Sequence, residues 1–142
     1  MARIKQGKKR HGINVERVID ANLNRAREAV RVVEDTERFV FHDRAASVLL
    51  RAIRHQLDII SRSLYDALVM ARLSTDDCGR TNASARFDSP TDIERANMRR
   101  AQEAVRVLEE YARLVQPAMC AQFQSIRFKL YDVEKKIHDR QA

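Results

Sequence analysis

Two side chains suited to binding phosphate or a polar heterocycle fall on the apolar side of a predicted helix. With residues placed about 100° apart around the helix axis, Asn22 and Arg25 lie inside an apolar arc of the helix predicted over residues 15–41. Burying an amide or a guanidinium group without a partner costs several kcal/mol. We therefore expect both side chains to face inward, where each needs a partner or a ligand. Glu28, three positions after Arg25, is the nearest internal partner.

The same polar array occurs a second time in the chain. Residues 21–40 (ANLNRAREAVRVVEDTERFV) match residues 96–115 (ANMRRAQEAVRVLEEYARLV) at a constant offset, 97 − 22 = 75, and twelve of the twenty positions are identical. Asn97, Arg100 and Glu103 repeat the first array, and a weaker match follows in the next helix of each copy. Each repeat is therefore predicted to be a helical hairpin. Two hairpins that bury their apolar sides together form an all-α four-helix bundle with pseudo-two-fold symmetry.

Helical periodicity and one polar segment indicate how the chain is organised. Apolar spacing predicts helices over residues 15–41, 44–73, 90–116 and 117–138. Asn14 and Ser89 are the predicted N-caps of the first and third helices, and Pro90 takes the first helical position. We expect a flexible basic tail and a single helical domain, divided as 1–13 (tail), 14–142 (domain), 15–73 (repeat 1), 74–89 (loop) and 90–140 (repeat 2).

Composition favours anionic partners and argues against several classes of site. The chain has 27 Lys+Arg against 20 Asp+Glu, a net charge of +7, and six of the cations fall in the first 17 residues. It contains no GxxxxGK, GxGxxG or HExxH motif, so a bound phosphate must be held by side chains and helix N-termini. No segment is apolar enough to span a bilayer, and two cysteines without CxxC spacing are typical of free thiols. We expect a cytoplasmic protein.

Another group of charged residues falls together on a different side of the first repeat helix: Arg27, Arg31, Glu34, Asp35 and Arg38. A solvent-exposed face of ion pairs is the simpler interpretation, although three of the residues recur as Arg106, Glu109 and Arg113.

The inward polar residues have two interpretations. They either fix the register of the helices, with each arginine held by its glutamate, or line a pocket for an anionic small molecule. In the pocket, Arg54 and Arg127 of the partner helices would add positive charge.

The doubled phrase ANxxRAxEAxRVxE, in a short helical chain, resembles that of one known family. It is similar to the small all-helical hydroxymethylpyrimidine phosphate kinases of thiamine biosynthesis, which occur alone or as the N-terminal domain fused to thiamine phosphate synthase. The resemblance covers about residues 15–140 and includes DCG in the central loop. The chain departs from the family pattern at Glu37, where the second copy has Ala112 and a small residue is expected in both. It also departs at Arg99, which replaces the asparagine seen at Asn24.

The resemblance implies an enzyme that phosphorylates 4-amino-5-hydroxymethyl-2-methylpyrimidine phosphate to the diphosphate. ATP is the implied co-substrate, Mg²⁺ the implied cofactor, and thiamine phosphate synthase a functionally linked protein. Because the acceptor is itself a phosphate, it needs no strong base to act as a nucleophile. The protein must hold two anions in line and neutralise their charge, which suits a chain rich in Arg and Glu.

Within that reaction, helical geometry assigns the site residues. The catalytic set is Arg25, Arg100, Glu28 and Glu103. The substrate-binding set is Asn22, Asn97, Arg31, Arg106, Arg38, Arg113, Arg54 and Arg127. The predicted metal ligands are Glu34, Glu109 and Asp77.

Two other functions compete with the kinase. A basic helical module that binds nucleic acid would gather cations on one face, whereas the arginines of the repeat alternate with glutamates, which argues against it. A non-catalytic structural dimer would instead satisfy the inward polar residues internally. Val32, Val107, Phe39 and Leu114 widen the apolar arc beyond one bundle seam, which favours a further interface and a homodimer.

Overall fold

The computed structural model describes residues 15–72, 77–79 and 86–142. All regular structure in these residues is helical, which confirms the predicted all-α fold. The α-helices are α1 (Val15–Asp35), α2 (Arg44–Ser63), α3 (Tyr65–Ala71), α4 (Pro90–Val115) and α5 (Cys120–Gln141). A π-helical turn, Thr36–Val40, follows α1, and a 3-10 turn, Pro117–Met119, leads into α5. No helix in the described residues is long and apolar enough to cross a bilayer.

The two repeat helices, α1 and α4, form the centre of the bundle and make its most extensive helix contact. Alanines at matching positions of the two copies are buried on these helices: Ala26, Ala29, Ala101 and Ala104. Such short side chains allow close approach of two helix backbones. The second helix of each hairpin packs against its own repeat helix, α2 on α1 and α5 on α4, and α2 also contacts α5. This arrangement is the expected bundle of two hairpins.

Two of the predicted helix boundaries can be compared with the structure. The Oγ of Ser89 accepts a hydrogen bond from the backbone N–H of Asp92 at 3.2 Å, and Pro90 opens α4, which confirms this N-cap. The second helix was wrongly predicted to be continuous, because α2 ends at Ser63. The hydroxyl of Ser63 donates to the carbonyl of Ile60 at 2.7 Å and competes with the helical ladder there. The predicted cap Asn14, the tail and Leu73 lie outside the described residues.

The first repeat helix does not run regularly to residue 41 as predicted. The hydroxyl of Thr36 donates to the carbonyl of Val32 at 2.8 Å where the π-helical turn begins. A π turn inserts extra chain and rotates the residues that follow relative to an α-helical register. Val40 is accordingly 50% exposed, whereas its equivalent Val115 in the regular helix α4 is 7% exposed. Glu37 is fully buried and Phe39 is 62% exposed, and their equivalents in α4, Ala112 and Leu114, are likewise buried and exposed. Two residues after the turn, His42 has a φ of 55°, which reverses the chain before α2.

Candidate functional site

Two buried ion pairs occupy equivalent places in the two hairpins. Arg54 Nε lies 2.7 Å from Glu34 Oε2, and Arg127 Nε lies 2.6 Å from Glu109 Oε2. In each pair a second guanidinium nitrogen donates to the other carboxylate oxygen. The hydrogen bond to the glutamate is the largest cause of a raised pKa in both arginines. These pairs hold the second helix of each hairpin to its repeat helix.

The interpretation of Glu34 and Glu109 as part of a solvated face was therefore wrong. Both carboxylates are buried, with 4% and 1% of their surface exposed. The helical pattern of α1 alone does not reveal which flank a second helix will cover. Here α2 and α5 cover the flank that carries these glutamates, so each carboxylate must be paired.

The predicted metal ligands do not form a site for Mg²⁺. Glu34 and Glu109 each bind an arginine, and Asp77 is exposed, with its Oδ1 accepting from the backbone N–H of Gly79 at 2.9 Å. Throughout 15–72, 77–79 and 86–142, no group of three or more His, Cys, Asp or Glu side chains could hold a metal ion. Arg54 and Arg127, predicted to bind substrate, are already committed to these glutamates.

The prediction that Asn22 and Asn97 face inward is confirmed. Both are buried, and each amide donates to the carbonyl four residues earlier in its own helix, Val18 or Ile93, at 2.8 Å. The amide nitrogens therefore have a partner without any ligand. This arrangement agrees with the simpler interpretation, in which the paired asparagines are part of the helix packing.

The prediction that the repeated arginines face inward was wrong. Arg25, Glu28, Arg100 and Glu103 are all exposed. Arg25 lies about 180° around α1 from Glu34, the residue that contacts α2, so it points away from that helix. The apolar arc had been widened by hydrophobic residues that are themselves exposed, among them Val32, Phe39 and Leu114.

The expected pairing of each exposed arginine with its glutamate is also absent. Among the residues described, Arg25, Glu28 and Glu103 make no ion pair or side-chain hydrogen bond. The guanidinium carbon of Arg100 lies 6.0 Å from the centre of the Phe87 ring. These four charged groups are therefore available to a ligand or a partner, on the outer surface of the bundle.

The remaining predicted substrate-binding arginines lie on the surface beside their helical neighbours. Arg31 is 3.6 Å from Asp35, and Arg106 is 2.9 Å from Glu110. Arg113 is 3.9 Å from the same Glu110. Arg38 lies 4.8 Å from the ring centre of the adjacent Phe39. These contacts are local, and they do not gather the arginines into one pocket.

A groove of about 400 Å³ lies between α4 and α5, and no predicted site residue lines it. Its volume is in the range of small-molecule sites. The lining residues are Glu94, Arg95, Met98, Arg99, Gln102, Tyr131, Glu134, Lys135, Ile137, His138 and Gln141. Arg95, Arg99 and Lys135 form no ion pair with any carboxylate of the described chain. We call this feature the α4/α5 groove.

The α4/α5 groove has no open counterpart in the first hairpin. The residue equivalent to Arg95 is Asp20, because 95 − 75 = 20, and its carboxylate is bound by Arg72 with N–O distances of 2.6 and 2.8 Å. Arg72 follows α3, which packs against α1 because α2 stops at Ser63. In the second hairpin α5 instead continues to Gln141. The pseudo-symmetry is therefore broken at this position.

One end of the α4/α5 groove is closed by a buried cluster of charged groups. Glu94 Oε1 accepts a hydrogen bond from Gln141 at 3.0 Å, and Arg140 donates to both Glu37 and Asp43. Burial, followed by the contact with Glu37, raises the pKa of Glu94 to about 8. No donor from the described residues reaches Glu94 Oε2. A proton on Glu94, donated to Glu37, satisfies both carboxyl groups at neutral pH.

The sequence does contain a signal for the groove, in the positions where the two repeats differ. Asp20 and Asn24 of the first copy become Arg95 and Arg99 of the second. These two cations lie one turn apart on a helix that otherwise matches its counterpart. They indicate a face that has different roles in the two repeats. Pattern matching between repeats emphasises identities, and therefore passes over such positions.

Comparison with known proteins places the chain in a family. Residues 17–136 match the ThiD2 family. The thiamine-phosphate synthase of Synechococcus sp. (strain CC9605) is 45% identical over 123 residues, which cover 84% of this chain and 34% of that protein. The protein of that name from Gloeobacter violaceus (strain ATCC 29082 / PCC 7421) is 42% identical over 124 residues, 84% of this chain and 35% of that protein.

The chain thus spans about a third of the length of these curated relatives. No solved structure matches it. The family match covers nearly the whole helical bundle, including both copies of the repeated segment and most of the lining of the α4/α5 groove. The chain belongs to the ThiD2 family.

Proposed function

We propose that this chain acts in thiamine biosynthesis and transfers the γ-phosphoryl group of ATP to 4-amino-5-hydroxymethyl-2-methylpyrimidine phosphate. Family membership and the relatives named thiamine-phosphate synthase support the pathway, and the doubled repeat supports the kinase reaction by its resemblance. The observation that carries the proposal is the α4/α5 groove, in which three cations lack acidic partners within the described residues.

The proposed reaction makes one P–O bond and breaks another. An oxygen of the acceptor phosphate attacks the γ-phosphorus of ATP, the bond from that phosphorus to the β-bridging oxygen breaks, and ADP leaves. The acceptor oxygen is already ionised at neutral pH, so catalysis consists mainly of alignment and charge neutralisation. Glu94 and His138 apart, the groove lining carries three cations against Glu134, a net charge of +2. That charge opposes the repulsion between two phosphorylated substrates.

Mg²⁺ is proposed to enter bound to the phosphates of ATP. Glu34 and Glu109 are occupied by arginines, so we assign no protein cage to the metal. Magnesium commonly keeps waters and substrate phosphates as most of its ligands, with few protein groups.

Arg25 and Arg100 keep a proposed role as binding groups for the acceptor phosphate. Both are exposed, and in the described structure neither has a carboxylate partner. Because they lie on α1 and α4 outside the groove lining, their contribution can be measured separately from that of the groove.

The test is an ADP-release assay with MgATP and either the pyrimidine phosphate or the unphosphorylated alcohol. A site whose cations require the phosphate of the acceptor should reject the alcohol by about 10³-fold or more in kcat/KM, because its charged groups would remain unpaired. Formation of the diphosphate should equal the ADP released. Absence of the diphosphate with the phosphorylated acceptor would refute the proposed function, and equal turnover of the alcohol would refute the phosphate requirement.

A further inference from the structure

The proposed kinase needs a place for each of two anionic substrates, and the α4/α5 groove is suited to one of them. Resting on the proposed function, we propose that this groove binds the nucleotide, with Tyr131 stacking on the base and Arg95, Arg99 and Lys135 binding the triphosphate. The assignment gives the chain one nucleotide site, in the second hairpin.

The cations are spaced for a chain of phosphates. Arg95 and Arg99 are four residues apart on α4, which places them about 6 Å apart along one side of the helix. Lys135 approaches from α5 on the facing wall. Cations on both walls of a groove can contact successive phosphate groups, as a single surface cation cannot.

An aromatic ring lies one helical turn from this cationic region. Tyr131 precedes Lys135 by four residues on α5 and is 42% exposed. Its ring is held by Arg127, whose guanidinium carbon lies 5.7 Å from the ring centre and whose Nη1 donates to the hydroxyl at 3.4 Å. A fixed and partly exposed aromatic ring is a stacking surface for a planar base. Along the groove, the ring and the cations therefore follow each other in the same order as the base and the triphosphate of ATP.

The floor and the closed end of the groove suit a nucleotide. Met98 and Ile137 line the groove and are buried, so they give the site an apolar floor. Two hydrogen bonds between described side chains cross the groove: Gln102 Nε2 to Glu134 Oε2, at 2.8 Å, and Gln141 Nε2 to Glu94 Oε1 at the closed end, at 3.0 Å. At the closed end Glu94 carries a proton at neutral pH, so it adds no negative charge to repel phosphate.

The first hairpin shows what the same position looks like without a nucleotide site. The second helices of the two hairpins align at an offset of 73, since Arg54 is equivalent to Arg127. Asp58 therefore stands in the place of Tyr131, because 131 − 73 = 58, and it binds Arg27 at 2.6 Å. Asp20 stands in the place of Arg95 and binds Arg72. Both replacements put carboxylates where the second hairpin has an aromatic ring or a cation. In the first hairpin these carboxylates occupy Arg27 and Arg72, so those two arginines are not free to bind a triphosphate there.

The correspondence between α5 and α2 also supplies a matched control. Lys135 corresponds to Arg62 of α2, because 135 − 73 = 62, and both are exposed cations without an ion pair in the described structure. Lys135→Glu and Arg62→Glu therefore reverse one charge each on equivalent helices. The two variants alter net charge equally, so any difference between them reports the position.

The experiment measures binding of ATP and of inorganic triphosphate by isothermal titration calorimetry, in the intact chain and at fixed salt. Lys135→Glu should weaken ATP about 10- to 100-fold and Arg62→Glu less than about 3-fold. Tyr131→Ala should weaken ATP about 10-fold and leave inorganic triphosphate unchanged, whereas Tyr131→Phe should retain most of the ATP affinity. Melting temperatures identify any variant whose loss of binding reflects unfolding. Wild-type protein should bind one ATP per chain.

Several outcomes would overturn the inference without touching the reaction. ATP binding reduced equally by Lys135→Glu and Arg62→Glu would place the nucleotide elsewhere. If Lys135→Glu lost binding of the pyrimidine phosphate and kept binding of ATP, the groove would be assigned to the acceptor. Two ATP molecules per chain would contradict the single site. Failure of wild-type protein to bind ATP at all would instead refute the proposed function.

Discussion

The carboxyl groups of Glu94 and Glu37 lie next to each other in the interior of the bundle, and this contact contributes to the raised pKa of Glu94. At the opposite end, the pseudo-symmetry places Ile19 and Ala112 at the equivalent positions, and these line a small apolar cavity of about 10 Å³. Glu37 and Glu94 are 0% and 2% exposed. One end of the bundle is therefore sealed by apolar packing and the other by an acid pair that needs a proton.

The acid pair makes stability depend on pH. The pKa of Glu94 is about 8 in the folded chain against an ordinary value of 4.5, because of burial and the neighbouring Glu37. The folded state therefore binds this proton more tightly than the unfolded state does. The stabilisation that the proton contributes is complete below pH 4.5 and is lost as the pH rises to about 8. The greatest slope from one group is about 1.4 kcal/mol per pH unit. Glu37, Arg140, Asp43 and Gln141 are the polar groups around it.

Glu94→Gln should remove this dependence, because an amide can donate to Glu37 and accept from Gln141 without titrating. We expect the variant to gain about 2–5 °C in melting temperature at pH 8.5 relative to wild type, and little at pH 5. Thermal unfolding across pH 5–9 gives the comparison. Glu103→Gln, an exposed and unpaired carboxylate in the described structure, is the control. Parallel pH profiles for wild type and Glu94→Gln would contradict the protonated pair.

The equivalent buried ion pairs should not be equally sensitive to mutation. Arg54 has a second carboxylate, Asp58, at 3.7 Å. Among the described residues, Glu109 is the only carboxylate that Arg127 binds, and its other hydrogen bond goes to the Tyr131 hydroxyl. Glu109→Gln leaves a half-buried guanidinium without a carboxylate, and should cost about 3 kcal/mol in the free energy of unfolding. Glu34→Gln should cost about half as much. Urea denaturation tests the order, and an equal or reversed order would show that Asp58 does not compensate.

Replacement of the exposed repeat arginines separates their role from that of the groove. Arg25→Ala removes a side chain without partners in the described residues, so the free energy of unfolding should change by less than about 0.5 kcal/mol. If it binds the acceptor, the KM for the pyrimidine phosphate should rise about 10-fold while the KM for ATP stays unchanged. Arg100→Ala should behave in the same way. A change confined to the KM for ATP would reject the acceptor role.

His42 offers a test of the backbone at the end of the π-helical turn. Its φ of 55° lies in the left-handed region, which costs a residue with a Cβ about 1 kcal/mol. His42→Gly should therefore stabilise the protein by about 0.5–1 kcal/mol. His55→Gly, an exposed change inside α2, should destabilise it. Destabilisation by both substitutions would show that the His42 side chain makes a contribution larger than the backbone strain.

Local sequence pattern predicted the features that depend on one helix or one repeat. The duplicated segment predicted the paired hairpins, and Ser89 followed by Pro90 predicted the start of α4. The position of Asn22 on the helix predicted that it is buried. Each follows from periodicity or capping, which neighbouring residues determine.

The site depended on features that no single helix contains. The inward prediction for Arg25 failed because exposed hydrophobic residues, such as Val32 and Phe39, were counted as part of the buried face. The exposed prediction for Glu34 failed because the flank covered by α2 is set by tertiary packing. The α4/α5 groove arises from two helices and from the break at Ser63, which lets α3 close the equivalent position of the first hairpin.

The kinetics of the charge-reversed pair test most directly whether phosphoryl transfer takes place at the groove of the second hairpin. The measurement is kcat/KM for ATP in the formation of pyrimidine diphosphate by the wild type, Lys135→Glu and Arg62→Glu. We expect Lys135→Glu to lower it by about 10² and Arg62→Glu to stay within about 3-fold of wild type, with all three proteins folded. Similar kcat/KM values for the two variants would contradict a catalytic groove between α4 and α5.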